Sequence, residues 1–236
     1  MANSAYPSQD LVNAKHSYNL FDDFEWYISP HRWTSVVADG GSIVLTGGAN
    51  GTITLTNDTA ADNDEIYVHT TNAIFTVAAG KDLYGEARLT FTESNTDDAN
   101  VAFGFASSVA ADLIIDDGGG MRASGSVFAI YKTDGSTVWK VVSRNGSTAY
   151  TNTSTKTAGG GYQVLALNIT ERLSTGFTVV PTVDGELLRD ETTGQVIRHN
   201  VLYSGLSAMQ MFVGQKNGSA NNEAVTVDYM AACKAR

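Results

Sequence analysis

The stretch "GEARLTFTESNTDDANVAFGFAS" (residues 85–107) contains two runs of alternating residues joined by a polar clump. In the first run, Ala87, Leu89 and Phe91 alternate with an arginine and two threonines. Such a period of two is typical of a strand with one buried face. The clump is rich in Asn and Asp, whose side chains cap their own turns. The stretch therefore predicts two strands joined by a polar hairpin loop.

The same pattern recurs along most of the chain, as short β-rich runs between clusters of Gly, Asn, Asp and Ser. The predicted strands are residues 42–46, 51–56, 65–70, 73–78, 85–92, 100–106, 127–132, 137–142, 162–170, 176–183, 209–215 and 223–230. Asp-Gly and Asn-Gly pairs supply turn positions at residues 39–40, 50–51, 134–135, 145–146, 184–185 and 217–218. The only helical candidate is residues 107–114, where a serine could cap one or two turns. The fold class is therefore all-β, with two antiparallel sheets packed as a sandwich.

Length and composition agree with one large domain and argue against nucleic acid and membranes as partners. A chain of 236 residues can bury a core without disulfides, and its single cysteine cannot form an internal one. The net charge of −10, with only 15 Lys and Arg, argues against nucleic acid as a ligand. The N-terminus lacks the pattern of a secretory signal, and no apolar run is long enough to span a bilayer, so we expect no membrane association. The predicted domains are an N-terminal arm, residues 1–20, and one sandwich, residues 21–236.

Acidic loops are the only candidate metal sites in the sequence. Loop carboxylates suit Ca²⁺, and the calcium candidates are Asp97, Asp98, Asp116 and Asp117. Their spacing does not match an EF-hand loop, and a polar turn explains them equally well, so the prediction is that no metal or other cofactor is required. The four histidines show no pairing typical of zinc, and no Ser, Cys or phosphate-loop motif indicates catalysis.

Aromatic and apolar residues supply the candidate contacts with partners. Trp139, beside Lys140, is predicted to be exposed and, with Tyr131, could contact a glycan. The arm mixes apolar anchors with amides in a pattern too irregular for an amphipathic helix and too apolar for water. The anchors predicted to bind a partner are Tyr6, Leu11, Val12, Tyr18 and Leu20. The alternative for the arm is an edge strand of the same sandwich.

The segments "FDDFEW", "TVVPTVDGELL" and "AVTVDYMAA" resemble the edges of concanavalin A-like jelly rolls, the fold of legume lectins, laminin-G modules and laminarinase-type glycoside hydrolases. The resemblance implies that an opening strand containing "DDF" pairs with a closing strand containing "VDYM". Laminarinase-type enzymes carry E-x-D-x-x-E on one strand, and this motif is missing here. The resemblance therefore implies the fold without the catalytic residues.

The block from residue 62 to residue 107, with "VFAIYKTDGSTVWKV", resembles virion structural proteins of tailed bacteriophages, namely decoration, head-fibre or minor structural proteins. This resemblance implies a non-enzymatic capsid decoration protein, made in the host cytoplasm and located on the capsid surface. Its implied partners are the major capsid protein and copies of itself, as a homo-oligomer for which a trimer is one option. The alternative function is a lectin-like carbohydrate-binding module of a fibre or adhesin. A glycan-degrading enzyme of laminarinase-like fold comes third.

Overall fold

In the computed structural model the chain forms a two-layer β-sandwich. The structure describes residues 17–47, 51–57, 61–93, 95, 97–146, 148–173 and 175–235. No helix occurs in these residues, and hence none that is long and apolar enough to cross a bilayer. The strands are β1 (Ser17–Asp22), β2 (Trp33–Ala38), β3 (Ser42–Leu45), β4 (Ile53–Thr56), β5 (Glu65–Thr70), β6 (Leu83–Thr92), β7 (Asn100–Ala106), β8 (Ile114–Ile115), β9 (Gly120–Met121), β10 (Ser126–Lys132), β11 (Val138–Asn145), β12 (Ala149–Thr157), β13 (Gln163–Leu173), β14 (Gly176–Val183), β15 (Glu186–Leu187), β16 (His199–Leu202), β17 (Gln210–Lys216) and β18 (Ala224–Ala235).

Two antiparallel sheets form the layers. The nine-stranded sheet has the order β15-β14-β13-β6-β18-β4-β3, with β1 also pairing with β18 and β16 with β14. The seven-stranded sheet has the order β12-β11-β10-β7-β17-β5-β2, and β8 and β9 form a separate ribbon. One apolar cluster, formed by alternate residues of both sheets, fills the space between them. This confirms the predicted all-β sandwich.

The polar clump after β6 connects the two sheets, so the predicted hairpin is wrong. Strand β6 lies in the nine-stranded sheet and β7 lies in the seven-stranded sheet. Both strands bury one face in the same core, with Leu89 on one side and Phe103 on the other. An apolar alternation shows that a strand has a buried face, but it does not show which sheet the strand joins.

The predicted arm ends earlier than expected, because strand β1 begins at Ser17. Tyr18 and Leu20 lie in β1, which pairs antiparallel with β18 in the register Ser17↔Ala235 to Asp22↔Met230. Leu20 is buried in the core, and the ring of Tyr18 lies 6.1 Å from that of Phe75. Leu20 is therefore buried within its own sandwich, and Tyr18 is partly buried against the same core. The other predicted anchors, Tyr6, Leu11 and Val12, lie outside the described residues.

Two further predicted elements differ from the structure. Residues 107–114 form no helix, because Val109 and Leu113 pack onto the outer face of the seven-stranded sheet and Asp112 has a positive φ of 60°. Residues 73–78 form only isolated bridges, in which Phe75 exchanges hydrogen bonds with Met209. The structure also adds β12, whose Thr-rich sequence lacks the apolar alternation of the other strands.

Candidate functional site

The outer face of the seven-stranded sheet is buried beneath its own chain. Residues 107–125, called the covering segment below, contribute Val109, Leu113, Ile114 and Met121 to an apolar cluster on this face. The sheet contributes Tyr67, Ala102, Ala106, Val127, Ala129, Tyr131, Val142 and Phe212. This face therefore presents no open cleft at its centre.

Small residues in the sheet make room for this second layer. The ring of Tyr67 lies across Gly214, where a Cβ atom would come within 1.9 Å of Tyr67 Cδ1. On the central strand β7, the outward positions between Asn100 and Ala106 are Ala102 and Gly104, since Val101, Phe103 and Phe105 point into the main core. The centre of this face therefore carries no carboxylate.

An ionic cluster, which we call the latch, fastens the covering segment to the sheet, and it joins the buried Lys216 and Glu65 to the exposed acids Asp112 and Asp116. The Lys216 ammonium, which is 1% exposed, lies 3.0 Å from Asp112 Oδ1 and 3.6 Å from Glu65 Oε2, and it also contacts the carboxylate of Asp116. Glu65 Oε1 accepts a hydrogen bond from the Asp112 amide at 2.6 Å, and its Oε2 accepts one from Tyr67 Oη at 2.6 Å. In the latch, Glu65 of β5 and Lys216 of β17 thus bind Asp112 of the covering segment, and Lys216 also binds Asp116 of that segment.

The charges of the latch are mutually dependent. Burial raises the pKa of Glu65, although hydrogen bonds from Tyr67 and the Asp112 amide act in the opposite direction. Burial acts against the charge of Lys216, but hydrogen bonds to Asp116 and Asp112 outweigh it and raise the pKa of Lys216. The lysine is therefore charged across the physiological range, and its ammonium compensates the buried carboxylate of Glu65.

The predicted glycan contacts Trp139 and Tyr131 are both buried, so the predicted exposure of Trp139 is wrong. Trp139 alternates with Lys140 along β11 and points into the core, where its Nε1 donates to Gln163 Oε1 at 3.0 Å. Tyr131 lies under the covering segment, close to Gly120. Neither side chain offers a surface to a glycan.

The loops with calcium candidates meet at one end of the sandwich, called the acidic end below. It comprises residues 61–64, 97–100, 112–118, 133–136 and 217–223. Asp98 Oδ2 accepts hydrogen bonds from Ser219 Oγ at 2.6 Å and from Asn221 Nδ2, and Asp116 contacts Lys216. Asp97 and Asp117 have positive φ angles of 67° and 53°, typical of turns. Within the described ranges, no three His, Cys, Asp or Glu side chains are grouped so as to hold a metal ion.

An exposed aromatic side chain marks the connection between β1 and β2. Residues 23–32 form this connection, which we call the aromatic loop. Its Trp26 and Ile28 are 58% and 57% exposed, whereas Phe24 is fully buried, 5.6 Å from the ring of Trp33. Phe24 therefore anchors the loop in the core and leaves Trp26 at the surface.

Asp22 organises the base of the aromatic loop. Its Oδ2 accepts hydrogen bonds from Arg32 Nη1 at 3.0 Å and from Trp33 Nε1 at 2.9 Å, while its Oδ1 accepts one from the Phe24 amide at 3.0 Å. Arg32 and Trp26 both line a shallow depression at the surface. The volume enclosed there is about 10 Å³, room for one water molecule. A larger ligand would therefore lie on this surface and would not enter it.

Known structures share this architecture at low sequence identity. The endo-1,3-beta-glucanase from Streptomyces sioyaensis is 12% identical, with a TM-score of 0.62 over 93% of this chain and 96% of that one. The metal-free carbohydrate recognition domain of Emp46p is 12% identical, with a TM-score of 0.59 over 91% and 95%. Peanut lectin is 11% identical, with a TM-score of 0.53 over 93% and 97%. The chain has the concanavalin A-like jelly-roll fold.

The likeness concerns the fold alone. No family profile and no curated protein sequence matches the chain. The pairing of β1 with β18, which places Asp22 of "DDF" opposite Met230 of "VDYM", is the pairing that the resemblance to such jelly rolls implied. The predicted role in a bacteriophage virion gains no support from these comparisons and stays a prediction.

The aromatic loop is the part of this jelly roll that sequence reasoning missed. The sequence does not distinguish Trp26 from Trp139, and only the structure shows that Phe24 and Trp139 are buried while Trp26 is exposed. The only signal in the sequence is the segment "FDDFEW", in which an Asp precedes two aromatic residues separated by one position. The side chain of Asp22 caps the turn after β1, because its Oδ1 accepts a hydrogen bond from the amide of Phe24, two residues later.

Proposed function

We propose that the protein is a carbohydrate-binding module that binds sugars through the aromatic loop and does not hydrolyse them. The observation that carries this proposal is the exposed indole of Trp26 beside the polar side chains of His31 and Arg32. An aromatic ring offers a flat apolar face to the C–H face of a sugar, and neighbouring polar groups can bind its hydroxyls. A surface with both features is suited to a pyranose ring.

The fold supports the same class of ligand. Of the similar structures, one is named a lectin, another a carbohydrate recognition domain and a third a glucanase. Sugar-directed proteins therefore occur repeatedly on this architecture, although fold alone does not assign a function. The capsid decoration protein inferred from sequence has no comparable structural observation in its favour.

The covered sheet face favours binding over hydrolysis. Glycoside hydrolysis uses two carboxyl groups about 5 to 10 Å apart that flank the scissile bond. The outward positions at the centre of β7 carry Ala102 and Gly104, and the covering segment lies over them. Glu65, the carboxylate on the outer face of β5, is held by Tyr67, the Asp112 amide and Lys216. The outer face of the seven-stranded sheet therefore does not offer the pair of free carboxyl groups that hydrolysis uses.

Replacing Trp26 by alanine should weaken glycan binding about tenfold or more. Loss of a stacking aromatic at the centre of a contact typically costs more than 1 kcal/mol. A glycan array would first identify a ligand, and calorimetric titration would then compare the variant with the wild type. Tyr162→Ala is the matched control, because Tyr162 is an exposed aromatic residue just before β13, stacked with Arg88 and far along the chain from the aromatic loop. No bound glycan, or equal weakening by both variants, would contradict the proposed site.

Incubation with β-1,3-glucan should release no reducing sugar above a protein-free blank. The reason is the missing catalytic motif together with the covered face of the seven-stranded sheet. A reducing-sugar assay over several hours, with a known glucanase as positive control, measures this. Steady release that Glu86→Gln abolishes would contradict the non-hydrolytic function, since Glu86 lies on β6 and could then act as an acid or nucleophile.

A further inference from the structure

The core becomes polar where it reaches the acidic end. Asn57 continues the inward alternation of Ile53 and Leu55, and Glu223 precedes the inward Val225 of β18. From the opposite sheet, Gln215 follows the inward Val213 on β17. Asn57, Gln215 and Glu223 are each 0 to 1% exposed. Three oxygen-bearing side chains are therefore enclosed between the sheets at this end.

These side chains are close together. Ala224 pairs with Thr56, so Glu223 and Asn57 stand next to each other at the ends of neighbouring strands β18 and β4. Gln215 reaches across from the seven-stranded sheet, since its Nε2 donates to the backbone oxygen of Glu223 at 2.7 Å. The backbone of Glu223 thus lies beside Asn57 on the neighbouring strand and is bound by the Gln215 amide from the opposite sheet.

All unpaired atoms in this group are acceptors. Asn57 Nδ2 donates to Asp64 O at 2.8 Å and to Asn217 Oδ1 at 2.9 Å, which fixes its amide orientation. The bond to Glu223 O fixes the Gln215 amide in the same way. Asn57 Oδ1, Gln215 Oε1 and both carboxylate oxygens of Glu223 are then left buried, without a hydrogen-bond donor among the described residues. Four buried acceptors without a protein donor require a proton, a water molecule or a cation between them.

The nearby lysine does not supply the missing donor. Lys132 Nζ contacts Glu93 Oε1 at 2.6 Å and donates to the backbone oxygens of Asp97 and Ala99 at 2.9 and 3.0 Å. An ammonium has three N–H groups, so these partners use all of them. The carboxylates of Glu93, Asp98 and Asp134 add negative charge around Glu223, against the single positive charge of Lys132. The surroundings therefore favour a bound cation.

We propose that Glu223, Asn57 and Gln215 form an internal binding site for Ca²⁺ between the two sheets. Carboxylate and carboxamide oxygens are ligands that calcium prefers, and one Ca²⁺ ion can coordinate several of them at once. A proton on Glu223 would let its carboxyl group donate to one neighbouring oxygen and would leave the other acceptors without a donor, whereas one cation can bind all four oxygens. This site is separate from the loop aspartates Asp97 and Asp98, and it goes beyond the proposed glycan binding, on which it does not depend.

Thermal unfolding in a calcium series tests the site. Protein treated with EDTA and then dialysed into chelator-free buffer at pH 7.5 should gain about 5 to 10 °C in melting temperature when free Ca²⁺ reaches about 100 times its dissociation constant. Titration calorimetry should give one ion per chain. In Glu223→Gln, which keeps the side-chain shape and removes the charge, the calcium-induced shift should disappear. Glu186→Gln is the control, since Glu186 is an exposed acid on β15 and its variant should keep the full shift.

Three outcomes would overturn the site. Wild-type protein whose melting temperature does not respond to Ca²⁺ would show that a proton or water satisfies these oxygens. A shift that persists in Glu223→Gln but is lost in Asp98→Asn would place calcium in the surface loop. A shift lost equally in Glu186→Gln would indicate a general charge effect. Circular dichroism at low temperature would establish that each variant is folded before the comparison is made.

Discussion

Replacing Lys216 by methionine should lower the free energy of unfolding by about 3 to 5 kcal/mol. The methionine fills the same space, but the buried Glu65 carboxylate and the carboxylates of Asp112 and Asp116 then lose their common cation. Removing one partner of a buried ion pair leaves an uncompensated charge, which costs far more than losing an exposed pair. The loss should act first on the covering segment, because the latch connects it to the sheet.

Urea denaturation and limited trypsin digestion measure the two parts of this prediction. The free energy should fall, and cleavage after Arg122 in the covering segment should become faster. Lys156→Met is the matched control, because Lys156 pairs at the surface with Glu186, whose side chain is 72% exposed. In that variant the free energy of unfolding should fall by about 1 kcal/mol or less. A Lys216→Met protein with unchanged stability and trypsin resistance would show that the latch does not hold the segment.

Glu223 should make the calcium-free protein less stable as the pH rises from about 4.5 to about 8. Burial, reinforced by the carboxylates of Glu93 and Asp98, raises the pKa of Glu223 from its ordinary value of 4.5 to about 8. Between these values the folded state holds a proton that the unfolded state has released. Its contribution is therefore fully present below pH 4.5, declines as the pH rises, and is lost above pH 8. The expected change is on the order of 1.4 kcal/mol per pH unit, several kcal/mol in all.

Comparison with Glu223→Gln isolates this contribution from other groups. Burial and the charge of Asp98 also raise the pKa of Asp134, and Lys132 acts on both acids, so the raw profile is a sum. In EDTA, the difference in unfolding free energy between variant and wild type should grow in favour of the variant from pH 5 to pH 9. Chemical denaturation at four pH values gives this difference. A difference that is constant with pH would mean that Glu223 has an ordinary pKa in the folded protein.

Sequence patterns predicted most strands because the alternation of apolar and polar residues depends only on which neighbouring side chains of one strand face the core. The run that became β6 shows Ala87 and Leu89 inward, as the period of two requires. The turn pairs 134–135 and 184–185 likewise connect β10 to β11 and β14 to β15, with positive φ at both glycines. Each of these features depends on a few neighbouring residues, so one short stretch contains the information.

The functional surfaces depend on contacts between distant segments, which the sequence does not show. The covering segment reads as a polar, glycine-rich stretch, yet it is fastened by Lys216, about a hundred residues further along the chain. Trp139 was predicted to be exposed because of the neighbouring Lys140, although adjacent residues of a strand point to opposite faces. Trp26 is exposed because Phe24 takes the buried position, and no local pattern chooses between these two rings.

The pairing of β1 with β18 also determines how the sandwich would respond to mechanical force. Ser17 and Ala235 are directly opposite each other, so the two ends of the described chain leave the sandwich at one corner. A force that separates these ends would load the hydrogen bonds between β1 and β18 one after another, as in a zipper, and would not load them all together in shear. The sandwich should therefore yield to such a force at β1 first, while β6, which pairs with β18 along its other edge, keeps the remainder closed.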